Sequence, residues 1–137
     1  VVDASGLVLG RASSLIAQRL LKGERIIVVN TEKAVVTGEP HRVFSEYTAA
    51  RARGSSRKGP YFPRYPDRIF RRTIRGMLPF HRGRGREAFR RVMTFIGVPP
   101  ELAPFPRETL EGARVRPSLR PPVTLGEISR LLGGKVS

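Results

Sequence analysis

Between Arg51 and Arg91 the chain carries fourteen arginines and lysines against two acids, Asp67 and Glu87. That is a net +12 within 41 residues, out of +15 for all 137. Self-repulsion on this scale opposes compactness, and a polyanion is the natural way to relieve it. A localised one-signed field is the electrostatic footprint of a nucleic-acid binder. Outside this stretch Val, Ile and Leu recur in periodic runs, so a folded core is expected there rather than disorder.

The basic residues are mostly arginine, with lysine only at 22, 33, 58 and 135. A guanidinium grips phosphate with a planar fork and also stacks on bases, which suits intimate RNA contact. A genome or habitat bias accounts for part of the arginine preference but not for its clustering. The absence of cysteine excludes disulfides, thiolate metal sites and cysteine nucleophiles. No segment approaches the roughly 20 apolar residues of a membrane span, and no leader pattern opens the chain, so a cytoplasmic protein is expected.

The length fits one domain over 1–137. Val1-Val2-Asp3 reads as a short strand. Leu9, Ala12, Ile16 and Leu20 share a face at helical spacing, so a helix is expected over Leu9–Leu21, stopped by Gly23. Ile26-Ile27-Val28-Val29 is a continuous apolar run of the kind buried in parallel sheets. Ala34-Val35-Val36 reads as a third strand and Pro40–Ala50 as a second helix. The stretch 51–65, rich in Arg, Gly, Ser and Pro, has no period and reads as a basic arm that orders on its partner. Helices are expected from Pro66 to about Met77 or Leu78, where Pro79 ends the pattern, and over Gly85–Arg90. Val92–Ile96 reads as a fourth strand. The proline-rich 101–122 reads as an extended surface segment, and Thr124-Leu125-Gly126-Glu127 as a capping box opening a C-terminal helix over 124–133. Strands interleaved with helices imply an α/β domain with a mostly parallel sheet.

The helix after Pro66 carries the clearest functional signal. Arg68, Arg71, Arg72 and Arg75 stand at i, i+3, i+4 and i+7, within roughly 100° of arc. Ile69, Phe70, Thr73, Ile74 and Met77 fill the other side. A charged face is usually only a solvated one, but this stripe has a single sign and no acid at i±4 to relieve it. Contact with phosphate is therefore the stronger reading. Arg57, Lys58 and Arg64 precede the helix and His81, Arg82, Arg84 and Arg86 follow it. Tyr61, Phe62 and Tyr65 suit either stacking on unpaired bases or packing of the loop on the domain. Gly54, Gly59, Gly83 and Gly85 would allow the backbone close to phosphates.

Other patterns fail on context. Gly83–Ala88 matches a dinucleotide fingerprint formally but follows a helix and a proline instead of a strand. Gly54–Gly59 lacks the P-loop lysine, since Pro60 stands in its place. His41 and His81 have too few carboxylate neighbours in sequence for a metal site, and nothing aligns Ser5, His41 and Asp3 into a triad. An α/β nucleotide-binding enzyme would need acids, bases or a metal beside the basic region, which offers only Asp67, Glu87 and His81. No cofactor and no catalytic residue are expected.

Several blocks resemble the ribosomal protein L13 (uL13) family of the large ribosomal subunit. Val2-Asp3-Ala4-Ser5-Gly6 with Leu9-Gly10-Arg11-Ala12-Ser13 resembles its opening, and Val28–Lys33 with Val36-Thr37-Gly38 its next strand pair. Pro66–Pro79, ending Arg-Gly-Met-Leu-Pro, is similar to the family's signature helix, and Val92–Pro99 to its last strand and exit. Thr124–Ile128 resembles the archaeal branch, while 101–122 matches no family motif. The resemblance implies a three-layer α/β/α fold with a four-stranded parallel sheet. It also implies a structural role without catalysis: binding and clamping 23S-type ribosomal RNA beside neighbouring large-subunit proteins, with no membrane and no small-molecule substrate. An extra-ribosomal regulator that binds messenger RNA is the alternative.

Overall fold

The computed structural model describes residues 1–37, 42–47, 65–115 and 122–133. A parallel sheet runs in the order β1 (Val2–Asp3), β2 (Ile26–Val29), β4 (Val92–Thr94). Val2 lies opposite Val28, and Ile26 opposite Val92. The central strand β2 is the continuous apolar run, and Ile26, Val28 and Val29 are all buried. A strand covered on both faces needs no polar alternation, which is why the pattern reads as it does.

Helix α1 (Leu9–Leu21) buries Leu9, Ala12, Ser13, Ile16, Ala17 and Leu20, the stripe that helical spacing predicts. Helical residues 42–47 form α2. Helix α3 (Pro66–Gly76) packs on α1 and against β4, and α4 (Gly83–Arg90) packs on both as well. Pro66 stands in the first turn of α3, where its missing N–H leaves nothing unpaired. At the other end of the chain, α5 (Leu125–Leu131) starts at Thr124, whose Oγ1 accepts the Glu127 N–H at 3.2 Å. That is one half of the predicted capping box.

The sheet departs from the four parallel strands expected. Among the described residues it has three. Val35–Val36 (β3) makes a single parallel bridge to Val8 and then pairs antiparallel with Val123–Thr124 (β5). The cause lies at the end of β2. Asn30 adopts a left-handed backbone with φ 57°, and Thr31–Lys33 forms a 3-10 turn. Together they turn the chain off the sheet before β3 begins. Strand β4 also stops short of the expected Ile96. Phe95 O accepts both the Thr31 N–H and the Thr31 hydroxyl, and Gly97, at φ +64°, donates its N–H to the Glu32 carboxylate at 2.8 Å.

The outer edge of β1 is closed by a residue far along the chain. Asp3 N–H donates to Glu108 O, and Glu108 N–H donates to Val1 O, both at 2.9 Å. Residues 101–109 are otherwise mostly exposed, while Leu110 and Ala113 drop into the core between α1 and the sheet edge. The core is continuous, running from Val2 and Ile16 through Phe70 and Ile74 to Leu125 and Ile128.

Candidate nucleic-acid interface

Helix α3 anchors one face deeply. Ile69, Phe70 and Ile74 are 2% exposed or less. Thr94 Oγ1 donates to Asp67 O at 2.9 Å, tying the start of the helix to β4. The opposite face presents Arg68, Arg71, Arg72 and Arg75, all exposed. Met77 departs from the expected burying side: it is 42% exposed. The helix ends at Gly76, and with φ −99° and ψ 0° at Met77 the chain turns there, so Leu78 fills the core in its place.

The chain then doubles back into α4, and a single glycine permits it. A Cβ on Gly85 would stand 2.1 Å from Pro79 O and 2.4 Å from its carbonyl carbon. Gly85 is buried against protein backbone, so its small size serves helix packing and not an approach to phosphate. His81, Arg82, Arg84 and Arg86 are exposed around this turn and the first turn of α4. Arg86 Nη1 donates to Phe80 O at 3.2 Å.

Two aromatic residues that the basic pattern conceals organise the surface. The Arg71 guanidinium carbon lies 4.0 Å from the centroid of the Phe89 ring, and that of Arg75 lies 4.2 Å from the Phe80 ring. The two rings meet edge to face, 5.5 Å apart at 81°. Contacts of this kind attract a cation without cancelling its charge. The sequence signal is present, since Phe80 stands just before α4 and Phe89 near its end. Their role depends on how α4 folds back on α3, which no local pattern shows.

Among the described residues, no carboxylate reaches Arg68, Arg71, Arg75, Arg82, Arg84 or Arg86 at ion-pair distance. The region's acids stand apart from them, Asp67 in the first turn of α3 and Glu87 exposed on α4. Arg91 belongs to the same charge run but not to this surface. It is half-buried, and Nη2 donates at 2.6 Å to Leu20 O at the end of α1. A cation there complements the carbonyl end of the helix. Arg57, Lys58, Arg64 and His41, with the 51–64 portion of the arm, lie outside the described residues.

Asp3 and Ser5, two of the residues considered for catalysis, do structural work. Asp3 Oδ1 accepts the Ser5 N–H at 2.9 Å and the Asn30 side-chain amide at 3.1 Å. Partial burial pushes the Asp3 carboxyl up, but the hydrogen bonds from Ser5 and Asn30, with Arg107 nearby, outweigh it and hold it below the usual aspartate value. Among the described residues no group of three or more His, Asp or Glu side chains could hold a metal, and no helix is long and apolar enough to cross a membrane.

A basic face of this kind, mounted on an α/β core, is the electrostatic footprint that nucleic-acid binders share. The sequence pattern of Ribosomal protein L13 matches residues 1–101. Three archaeal relatives, each a large ribosomal subunit protein uL13, align over nearly the whole chain. That of Archaeoglobus fulgidus is 56% identical over 97% of this chain and 86% of its own length. Those of Methanosarcina barkeri and Methanococcoides burtonii are 48% and 46% identical, each over 98% of both chains. The chain belongs to the ribosomal protein L13 family, whose members are structural ribosomal components and not enzymes.

Proposed function

We propose that the chain is a structural constituent of the large ribosomal subunit that binds and clamps 23S-type ribosomal RNA through the exposed face of α3 and the turn into α4. One observation carries this reading: a row of arginines of one sign, fixed on a buried helix, with no carboxylate among the described residues to neutralise Arg68, Arg71 or Arg75. Neutralising closely packed phosphates lets RNA segments approach one another, and counterion release supplies much of the affinity. Contacts to phosphate and ribose orient the protein, and the shape of the RNA selects it. Arg57, Lys58 and Arg64 extend the same role along the arm, and His81, Arg82, Arg84 and Arg86 along the turn. Neighbouring large-subunit proteins are the remaining partners, and the cytoplasmic ribosome is the location. The finer architecture belongs to this reading too: one domain over 1–137 in a three-layer arrangement, with α3 and α4 each packing on α1 and on β4.

The test is a salt titration of binding to a large-subunit ribosomal RNA transcript with Arg71→Glu/Arg72→Glu. Affinity should fall about 100-fold or more, and the slope of log K against log salt should shrink by nearly one for each lost phosphate contact. Both residues are exposed, so the melting curve should hold. Wild-type binding by the folded double variant would refute the assignment.

A further inference from the structure

We propose that Phe80 and Phe89 are positioning residues of this surface, which hold Arg71 and Arg75 in a binding-ready arrangement while leaving their charge and donors available. The proposal rests on the reading of α3 as an RNA-facing helix.

An arginine on a bare helix face samples many rotamers, and fixing it on a phosphate costs the affinity that those rotamers represent. Two supports could reduce that loss. A carboxylate fixes a guanidinium firmly but takes two of its N–H donors and cancels its charge. An aromatic ring holds the cation through its π face, and being no strong acceptor it leaves the donor fork for a ligand. Arg71 and Arg75 have the second kind of support, at 4.0 and 4.2 Å.

The rings are themselves held. They pack edge to face, and both are partly buried. Phe89 rests against the core. The Phe80 backbone is pinned from two sides: its N–H donates to Leu78 O at 2.7 Å, and its carbonyl accepts from Arg86. Gly85 presses against the same peptide so closely that no side chain fits between them. A mobile ring could not immobilise an arginine, whereas Phe80 is built into the turn before α4 and Phe89 into the last turn of α4. Leucines at these positions would keep apolar side chains there. What leucine lacks is the π face.

Two measurements on the full chain test this. The first needs no substitution. In the free wild-type protein, 15N relaxation at arginine Nε should show Arg71 and Arg75 more ordered than Arg68, Arg82 and Arg84. Equal mobility across all five would overturn the proposal. The second compares Phe80→Leu and Phe89→Leu with Arg71→Gln/Arg75→Gln in binding to a large-subunit ribosomal RNA transcript across a salt series. Each leucine variant should bind about three- to tenfold more weakly at every salt concentration, with an unchanged slope, because no phosphate contact is lost. Arg71→Gln/Arg75→Gln should reduce the slope itself. Phe80→Tyr and Phe89→Tyr keep the π face and should restore binding to near wild type. Leucine variants that bind like wild type, or tyrosine variants that bind as weakly as leucine, would rule out positioning through the rings. Arg71→Gln/Arg75→Gln with undiminished affinity would instead remove the RNA-facing reading of α3, an outcome told apart by the glutamines and not the leucines.

Discussion

Arg19 on α1 and Arg75 on α3 sit on helices that share one core, yet they are held in opposite ways. Arg19 donates to both oxygens of Glu24 at 3.0 Å, and to Glu108 at 2.8 Å. The two carboxylates drive its pKa above the usual arginine value, and Arg19 in turn holds Glu24 below the usual glutamate value. Its charge is spent inside the molecule, fastening the start of β2 and the 108 segment to the end of α1. Arg75 has a phenylalanine ring in the corresponding place and no carboxylate at ion-pair distance among the described residues. Its charge faces outward intact. The residue type is the same, and what surrounds the guanidinium decides whether its charge is neutralised within the fold or left open at the surface.

Converting one environment into the other gives the largest expected effect. Phe80→Glu would set a carboxylate beside Arg75, as Glu24 stands beside Arg19. RNA affinity should fall about 100-fold, with the salt slope reduced by roughly one charge. If the RNA titration of this variant matched wild type, the contrast between the two environments would carry no function. Gly85→Ala attacks the support beneath the rings. Its Cβ must displace the Pro79 carbonyl, so urea unfolding should show a loss of about 2–3 kcal/mol with an unchanged m-value. An isostable variant would mean that the tight turn is dispensable.

Arg91→Met separates charge from surface. It keeps the apolar stem and removes the donor to Leu20 O, so stability should drop by about 1 kcal/mol. The RNA salt slope should stay as it is, and a slope reduced by a full unit would return Arg91 to the binding face. Arg19→Gln should matter least. Partly exposed pairs of this kind contribute little, so the urea midpoint should move at the edge of detection, with RNA binding unchanged.

What was legible in the sequence was what local periodicity can report. The α1 stripe, the apolar run of β2, the one-signed arginine row of α3 and the Thr124 cap all depend on neighbours within a few residues, and each stands where the pattern puts it. The misses depend on contacts between distant residues. Val35 pairs with Thr124, Glu32 receives Gly97 and Arg91 reaches Leu20. The helical period, extended one residue past the helix's end at Gly76, puts Met77 on the buried face, whereas the chain has already turned there. Gly85 and the two phenylalanines were misread or overlooked for a shared reason. Their roles exist only once α4 lies against the end of α3, and no spacing along the chain encodes that approach.

The pairing of Glu108 with the first three residues has a consequence for the order of events on the way to the native state. During synthesis β1 emerges well before its outer neighbour, which is more than a hundred positions behind it. Every arginine of α3 leaves the exit tunnel before the sheet can be sealed. Closing so large a loop is slow relative to local helix formation. The cationic region is therefore synthesised in full while the scaffold that will carry it is still unlatched at one side.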